Sequence, residues 1–264
     1  MVTVFGDAVV PRSGSAWLGT LLEVFAGMGI GAGVVRTAMS RLAADGWLER
    51  TRIGRNSFYR LTGTGGAAYV TAAERIYGGP APGWDGTFHL LLAGNAAERD
   101  SVQDALQRAG FGVAAPGVWI APAYVRVPPE AAGLLRMTGT VNPDDARDLA
   151  ARAWPLSGTA EAYRRFIGTF APLQHGLAGA GDLDALVARV LLIHEYRRIV
   201  LRDPCLPLAL LPDDWPGTAA RRLCAGIYRA LLPASERWLD RHGRNEDGPM
   251  PPPASDLACR FRRE

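Results

Sequence analysis

Residues 15–61 carry the pattern that most constrains how this chain folds. Apolar residues recur at helical spacing in SAWLGTLLEVFAGM, residues 15–28, and the glycine-rich GIGAG separates them from a second helical segment over about 32–45. Two short extended segments, 47–53 and 57–61, then flank the turn sequence GRN and predict a β-hairpin. Helix, turn, helix and hairpin in this order predict a winged helix-turn-helix.

The second predicted helix has one apolar face and one small, polar face. With about 100° of rotation per residue, the apolar sector consists of Val35, Ala38, Met39 and Leu42. The opposite sector consists of Gly33, Thr37, Ser40 and Ala44, with Arg36 and Arg41 at its edges. A helix face without bulky side chains can enter the DNA major groove, where arginine contacts guanine edges or phosphates. We therefore predict that four residues of this helix face DNA: Arg36, Thr37, Ser40 and Arg41.

The predicted hairpin adds further positive charge. Arg55 and Asn56 lie at its tip, and Arg52 and Arg60 lie on its arms, so we predict that these four residues contact the DNA backbone. Residues 1–78 hold eight arginines and five acidic residues, an excess of +3 that equals the formal net charge of the whole chain. The alternative is an ordinary surface helix and a solvated hairpin, within a winged helix that serves as a protein-interaction scaffold.

Punctuation along the chain predicts three domains in an α+β protein. The break GGPAPG at 78–83 ends a winged-helix domain over 1–78. Residues 84–142 predict a small α+β domain, with the strand TFHLLLA, the helix AAERDSVQDALQRAG, the hairpin FGVAAPGVWIAP and a strand near 137–141. Residues 143–242 predict a helical domain, and residues 243–264 predict a disordered tail.

The sequence carries no motif of an enzyme, a metal site or a membrane segment. Cys205, Cys224 and Cys259 lie far apart without a CxxC pair, which argues against a disulfide framework and favours a reducing, cytoplasmic location. No run approaches the roughly 18 apolar residues of a membrane span. His194 and Glu195 are adjacent but lack the second histidine of an HExxH site, and GxSxG and P-loop motifs are absent. We therefore expect no catalysis, cofactor or bound metal.

The sequence also resembles the PaaX-type repressors of phenylacetate catabolism. The resemblance covers all but the tail and is carried mainly by VRTAMSRLAADGWL, GRNSFYRLT and LLIHEYRRIVLRDPCLPLALLPDDWPG. It implies a homodimeric bacterial repressor with a winged helix, a central ferredoxin-like domain similar to small CRISPR-associated nucleases, and a helical C-terminal domain. It also implies release from operator DNA by an aryl-acetyl-CoA thioester such as phenylacetyl-CoA. A repressor of the same fold with other target genes and another effector is the alternative.

Two segments bear on what that resemblance implies. The first central strand and its end, TFHLLLAGNA, contain no carboxylate before Glu98, so metal-dependent cleavage is not expected. In HEYRR, His194, Arg197 and Arg198 would form a cationic cluster beside apolar surface, which suits the phosphates and acyl group of a CoA thioester. We predict an effector site there; an internal salt-bridge network with Glu195 and Asp203, or a dimer contact, is the alternative.

Overall fold

The computed structural model describes residues 1–176 and 179–262, and the chain forms two compact units. The first unit comprises Met1–Gly79, Arg164–Leu201 and Thr218–Glu264, and the second comprises Pro80–Tyr163 and Arg202–Gly217. Helices and small antiparallel sheets confirm the α+β class. The predicted helical domain over 143–242 is not a body of its own, because its residues are divided between the two units.

The elements follow one another along the chain without long gaps. Up to residue 77 they are α1 (Val2–Val4), which continues as a π-helical segment (Phe5–Val9) and a 3-10 turn (Val10–Arg12), β1 (Ser15–Trp17), α2 (Leu18–Gly27), α3 (Ala32–Ala44), β2 (Leu48–Ile53), β3 (Asn56–Leu61) and α4 (Gly63–Tyr77). They continue with β4 (Thr87–Leu92), α5 (Ala96–Ala109), β5 (Gly112–Ala115), β6 (Val118–Pro122), β7 (Leu135–Thr140), α6 (Pro143–Ala153), α7 (Leu156–Phe170), α8 (Leu173–Gly176), α9 (Asp182–Val200), α10 (Gly217–His242), β8 (Arg244–Asn245) and β9 (Gly248–Pro249). Within the described ranges, no helix is long and apolar enough to cross a membrane.

Helices α2 and α3 form where the apolar periodicity predicts them. Phe25 on α2 and Val35 and Met39 on α3 are buried, so each helix places its apolar side against the same core. Between the helices, Gly29 has φ +74° and the Ile30 amide donates to the Phe25 carbonyl at 2.9 Å. Glycine adopts this left-handed conformation without steric cost, and the chain reverses there.

The hairpin of β2 and β3 belongs to a three-stranded antiparallel sheet in the order β1-β3-β2. Phe58 on β3 pairs with Trp17 on one side and Thr51 on the other. Gly54 at the turn has φ +59°, so the tip requires a residue that tolerates the left-handed region. The predicted strands agree with β2 and β3 to within one residue at each end.

Helix α9 packs into the core built by the N-terminal elements. Leu186 and Val190 of α9 belong to the same cluster of buried residues as Phe5, Leu21 and Met39. Removing these apolar side chains from water stabilises the first unit in proportion to the area buried. This shared core explains why the C-terminal helices do not form a separate domain.

A buried ion network crosses this core. The Asp7 carboxylate accepts from Arg189 Nε at 2.8 Å and from Arg260 Nη1 at 2.9 Å, and all three side chains are buried. Glu236 accepts from Arg189 Nη1 at 2.5 Å and from Arg12 Nη2 at 2.6 Å. Burial alone would lower the pKa of Arg189, but the Asp7 and Glu236 carboxylates more than offset it, so this pKa is raised. The network therefore holds its guanidinium groups charged.

The segment after α10 is ordered, and the predicted disordered tail over 243–264 is wrong for its described part, residues 243–262. Met250, Leu257 and Phe261 are buried, and the Ala254 amide donates to the Pro11 carbonyl at 2.8 Å. Arg260 lies with its guanidinium carbon 4.1 Å from the centroid of the Tyr77 ring. A few long-range contacts thus fix a segment whose average composition is polar.

The second unit has a four-stranded antiparallel sheet in the order β5-β6-β4-β7. One cluster of buried residues around Phe88 and Ile120 lies with α6, and another around Leu91 and Trp119 lies with α5. The Trp154 indole donates to the Gly110 carbonyl at 3.0 Å, which fixes the end of α6 near the start of β5. The strand predicted near 137–141 is β7.

Candidate nucleic-acid interface

Helix α3 exposes the face that the sequence predicts. Val35 and Met39 are 0% exposed, because they pack on the core of the first unit. The exposed residues of the helix include Gly33, Arg36, Thr37, Ser40, Arg41 and Ala44. Val34, which is 64% exposed, adds an apolar side chain to this surface that the sequence analysis missed. An exposed apolar side chain on a groove-facing helix can contact the methyl group of thymine.

The hairpin carries exposed basic residues at its tip. Arg52, Arg55 and Asn56 are exposed, as predicted, and Arg52 Nε donates to the Gly54 carbonyl at 3.3 Å. Arg50, which we did not assign to the site, is exposed on the same strand, and its guanidinium Nη2 donates to Ser57 Oγ at 2.9 Å. The tip therefore presents guanidinium groups without a carboxylate bonded to them among the described residues.

Arg60 differs from the arginines at the tip. It pairs with Ser15 of β1 at the base of the hairpin, donates to the Ser13 carbonyl at 3.2 Å and forms a salt bridge with Glu246. Ser15 also donates to Glu246, and although burial alone would raise it, these hydrogen bonds lower the pKa of Glu246. The structure thus separates Arg60 from the tip and neutralises part of its charge. Glu246 escaped the sequence analysis because it lies in the segment predicted to be disordered.

A cleft of about 800 Å³ lies beside α3 within the first unit. Thr37 and Arg41 of α3 line it together with His194 and Arg197 of α9. Arg198 does not line it; this exposed side chain donates to Glu195 at 3.3 Å. Of the three predicted effector residues, the structure therefore brings together His194 and Arg197.

The charge state of this cleft follows from its partial burial. Burial lowers the pKa of His194, although Glu195 opposes the shift, and burial also lowers the pKa of Arg197. The Thr3 hydroxyl lies 3.1 Å from His194 Nδ1 and accepts from Arg197 Nη1 at 3.3 Å. Because Thr3 accepts from Arg197, its own proton is available to a neutral His194 ring. Asp203, the other predicted partner, instead accepts from Tyr163 at 2.7 Å within the second unit.

Metal chemistry has no support in this geometry. Within residues 1–176 and 179–262, no three His, Cys, Asp or Glu side chains lie together so that they could hold a metal ion. What the first unit presents instead is a small, polar helix face with arginines at its edges, next to a basic hairpin. This surface defines a class, the nucleic-acid-binding regulators.

Comparison with known proteins agrees with that class. A family model described as PaaX-like protein matches residues 1–65, and one described as PaaX-like protein C-terminal domain matches residues 154–241. The chain is 35% identical to transcriptional repressor PaaX of Escherichia coli over 280 residues, which cover 98% of this chain and 88% of that protein. It is also similar to the solved structure of uncharacterized protein Rv0674 from Mycobacterium tuberculosis, with TM-score 0.57, 26% identity, and coverage of 82% of this chain and 88% of the other.

These matches show the family. The chain belongs to the PaaX family of transcriptional repressors, which are not enzymes. The predicted family resemblance is therefore confirmed.

Proposed function

We propose that this repressor binds double-stranded operator DNA as a homodimer, through a winged helix-turn-helix formed by α2, α3 and the β2–β3 hairpin. The observation that carries the proposal is the exposed face of α3, whose small and hydroxyl side chains lie between Arg36 and Arg41. A helix with such a face approaches base edges closely, and the neighbouring basic hairpin contacts the backbone.

The two parts of this surface have different roles. Arg36, Thr37, Ser40 and Arg41 face the major groove, where side-chain contacts with base edges determine sequence preference. Arg52, Arg55 and Asn56 at the hairpin tip contact phosphates, which position the protein and dominate affinity. We leave Arg60 out of this set, because its salt bridge with Glu246 already satisfies part of its charge.

The second unit has the strand order and pairing of a ferredoxin-like domain. Its order β5-β6-β4-β7, with all pairs antiparallel, is that of a β-α-β-β-α-β unit whose first strand is β4. The connection from β6 to β7 contains only a 3-10 turn, Pro129–Ala131, in place of the second helix. The unit is thus a shortened version of that fold.

The regulated genes and the effector follow from the family. We infer that the chain acts in the cytoplasm, represses a catabolic operon of the phenylacetate type, and leaves its operator when an acyl-CoA such as phenylacetyl-CoA binds. The similarity to transcriptional repressor PaaX of Escherichia coli supports this inference. His194 and Arg197 are the residues we assign to the effector, whereas Arg198 faces away from their cleft.

A salt-titrated gel shift on the DNA upstream of the chain's own gene tests the DNA interface. Arg55→Ala should weaken binding to all sequences alike and reduce the slope of log K against log salt by about 1, because one phosphate contact is lost. Ser40→Ala should instead change the preference among related sequences. Exposed Arg108 on α5 provides the matched control, since Arg108→Ala removes the same charge from the second unit.

The outcome separates the proposal from its alternative. A protein-interaction scaffold would show neither specificity for that DNA nor a steep salt slope. Operator affinity within twofold of the wild type for both Arg55→Ala and Ser40→Ala would refute the assigned helix and hairpin. Light scattering of the protein alone and with DNA tests the homodimer.

A further inference from the structure

A second cavity, of about 340 Å³, lies next to the cleft in the first unit. Its lining is mainly apolar and includes Leu42, Trp47, Ala72, Ile76 and Ile193. An apolar cavity of about 150 Å³ holds a benzene molecule, so this one has room for an aromatic ring and its substituents. Asp7 also lines it, but that carboxylate is already bonded to Arg189 and Arg260.

The cavity and the cleft share Val2, Thr3, Leu42 and Arg197. Arg197 is half-buried and donates to Thr3, and in the part of the chain that the structure describes no carboxylate forms an ion pair with it. A desolvated guanidinium group without a counter-ion is costly. An anion bound at this position would supply the missing charge.

We propose that the cavity and the cleft form one binding site for an amphipathic anion. An aromatic or short acyl group occupies the apolar cavity, and the anionic part of the same molecule lies in the cleft against Arg197. Arg41 at the edge of the cleft adds a second cation, whereas Asp45 on the same lining disfavours an anion placed close to it. The free carboxylate of an aryl acid and the phosphates of its CoA thioester share this chemistry.

The position of the site provides a direct route to DNA release. Thr37 and Arg41 line the cleft and are also two of the four α3 residues that we assign to the major groove. A ligand in contact with them competes with DNA for the same side chains, without a change transmitted over distance. Occupancy by DNA must then weaken ligand binding by the same factor. This step rests on the proposed function, whereas the binding site itself does not.

Calorimetric titration of the full chain without DNA tests the site. The probes are phenylacetyl-CoA, phenylacetate and free coenzyme A. Arg197→Ala should reduce the affinity for the binding probe about tenfold or more, because a charge-assisted contact is lost. Ala72→Leu should reduce it by a similar factor, because the added side chain fills the apolar cavity.

Each variant has a matched control on the same helix. Arg198→Ala removes an exposed arginine that pairs with Glu195, and Ala67→Leu enlarges an exposed residue of α4 outside the cavity lining. Both controls should keep the wild-type affinity within twofold. Arg197→Ala should also keep the wild-type melting temperature, because Arg197 has no ion pair to lose among the described residues, so weaker binding would not reflect unfolding.

The possible results are clear-cut. The proposal is overturned if none of the three probes binds the wild-type chain, if Arg197→Ala binds within twofold of it, or if free coenzyme A binds as tightly as the thioester. Binding of phenylacetate alone, with the same dependence on Arg197 and Ala72, supports the site and identifies the free acid as its ligand. A chain that binds the thioester as expected but fails to shift DNA refutes the proposed function and leaves the site in place.

Discussion

Asp7→Asn should destabilise the first unit, because Asp7 is the carboxylate on which two buried arginines converge. It accepts from Arg189 at 2.8 Å, from Arg260 at 2.9 Å and from the Tyr77 hydroxyl at 2.8 Å. Asparagine has nearly the same volume and can still accept from Tyr77. The substitution therefore removes the negative charge and little else.

The magnitude follows from what remains in the network. Removing one partner of a buried ion pair costs about 3–5 kcal/mol, because the other charge is left without compensation. Glu236 still contacts Arg189 at 2.5 Å after the change, whereas Arg260 keeps only neutral partners in Tyr69, Tyr228 and the Gly6 carbonyl. We therefore expect a loss near the lower bound, about 3 kcal/mol, which lowers the folding equilibrium constant more than a hundredfold.

Urea unfolding followed by circular dichroism measures the loss, and hydrogen exchange of the α9 amides identifies the transition of the first unit. Asp240→Asn is the matched control: Asp240 pairs with Arg12 of the same network at 2.8 Å but is 58% exposed, so its loss should cost at most about 1 kcal/mol. In a double-mutant cycle, Arg260→Met should be less harmful in the Asp7→Asn background than alone.

Equal free energies of unfolding for Asp7→Asn and Asp240→Asn would refute the reasoning. So would strict additivity of Asp7→Asn and Arg260→Met, because additive effects would mean that the two side chains do not interact. Either result would also remove the physical reason we give for the order of the C-terminal segment.

Two further predictions concern accessible groups. Cys205 and Cys259 are exposed, whereas Cys224 is buried and burial raises its pKa well above the ordinary value, so a thiol reagent should modify two cysteines quickly and the third only on unfolding; rapid modification of all three would contradict the packing around α10. Arg60→Ala should reduce the salt slope of DNA binding less than Arg55→Ala does, because a salt bridge already neutralises part of the Arg60 charge; equal slopes in the gel shift would return Arg60 to the DNA interface.

Local periodicity was sufficient to predict the elements that present the candidate interface. Helix α3 has a 3.6-residue repeat of apolar side chains, and Val35 and Met39 are buried as that repeat requires. The hairpin is likewise a local structure, since Gly54 at its turn and the alternating strands determine its register. These signals lie within a few residues of one another, so a single sequence contains them.

The contacts that order residues 243–262 are not local, and composition could not predict them. Phe261 lies 5.3 Å from Tyr77 and 5.4 Å from Tyr228 between ring centroids, and Arg260 bonds to Asp7 near the other end of the chain. One signal was present in the sequence. Arg189 lies within the apolar run LVARVLLI, and an arginine in that position has to find a buried counter-ion.

The HEYRR segment shows where sequence reasoning about a site reaches its limit. Arg197 and Arg198 are adjacent, so on a helix they point about 100° apart, and the sequence alone does not say which of them faces the rest of the protein. In the structure Arg197 turns toward α3 and Arg198 toward Glu195 and solvent. That one rotation distinguishes an exposed charge from a cation without a counter-ion beside the helix we assign to DNA. A regulator that senses an anion at this point needs no second domain to transmit the signal, because Thr37 and Arg41 contribute to both surfaces.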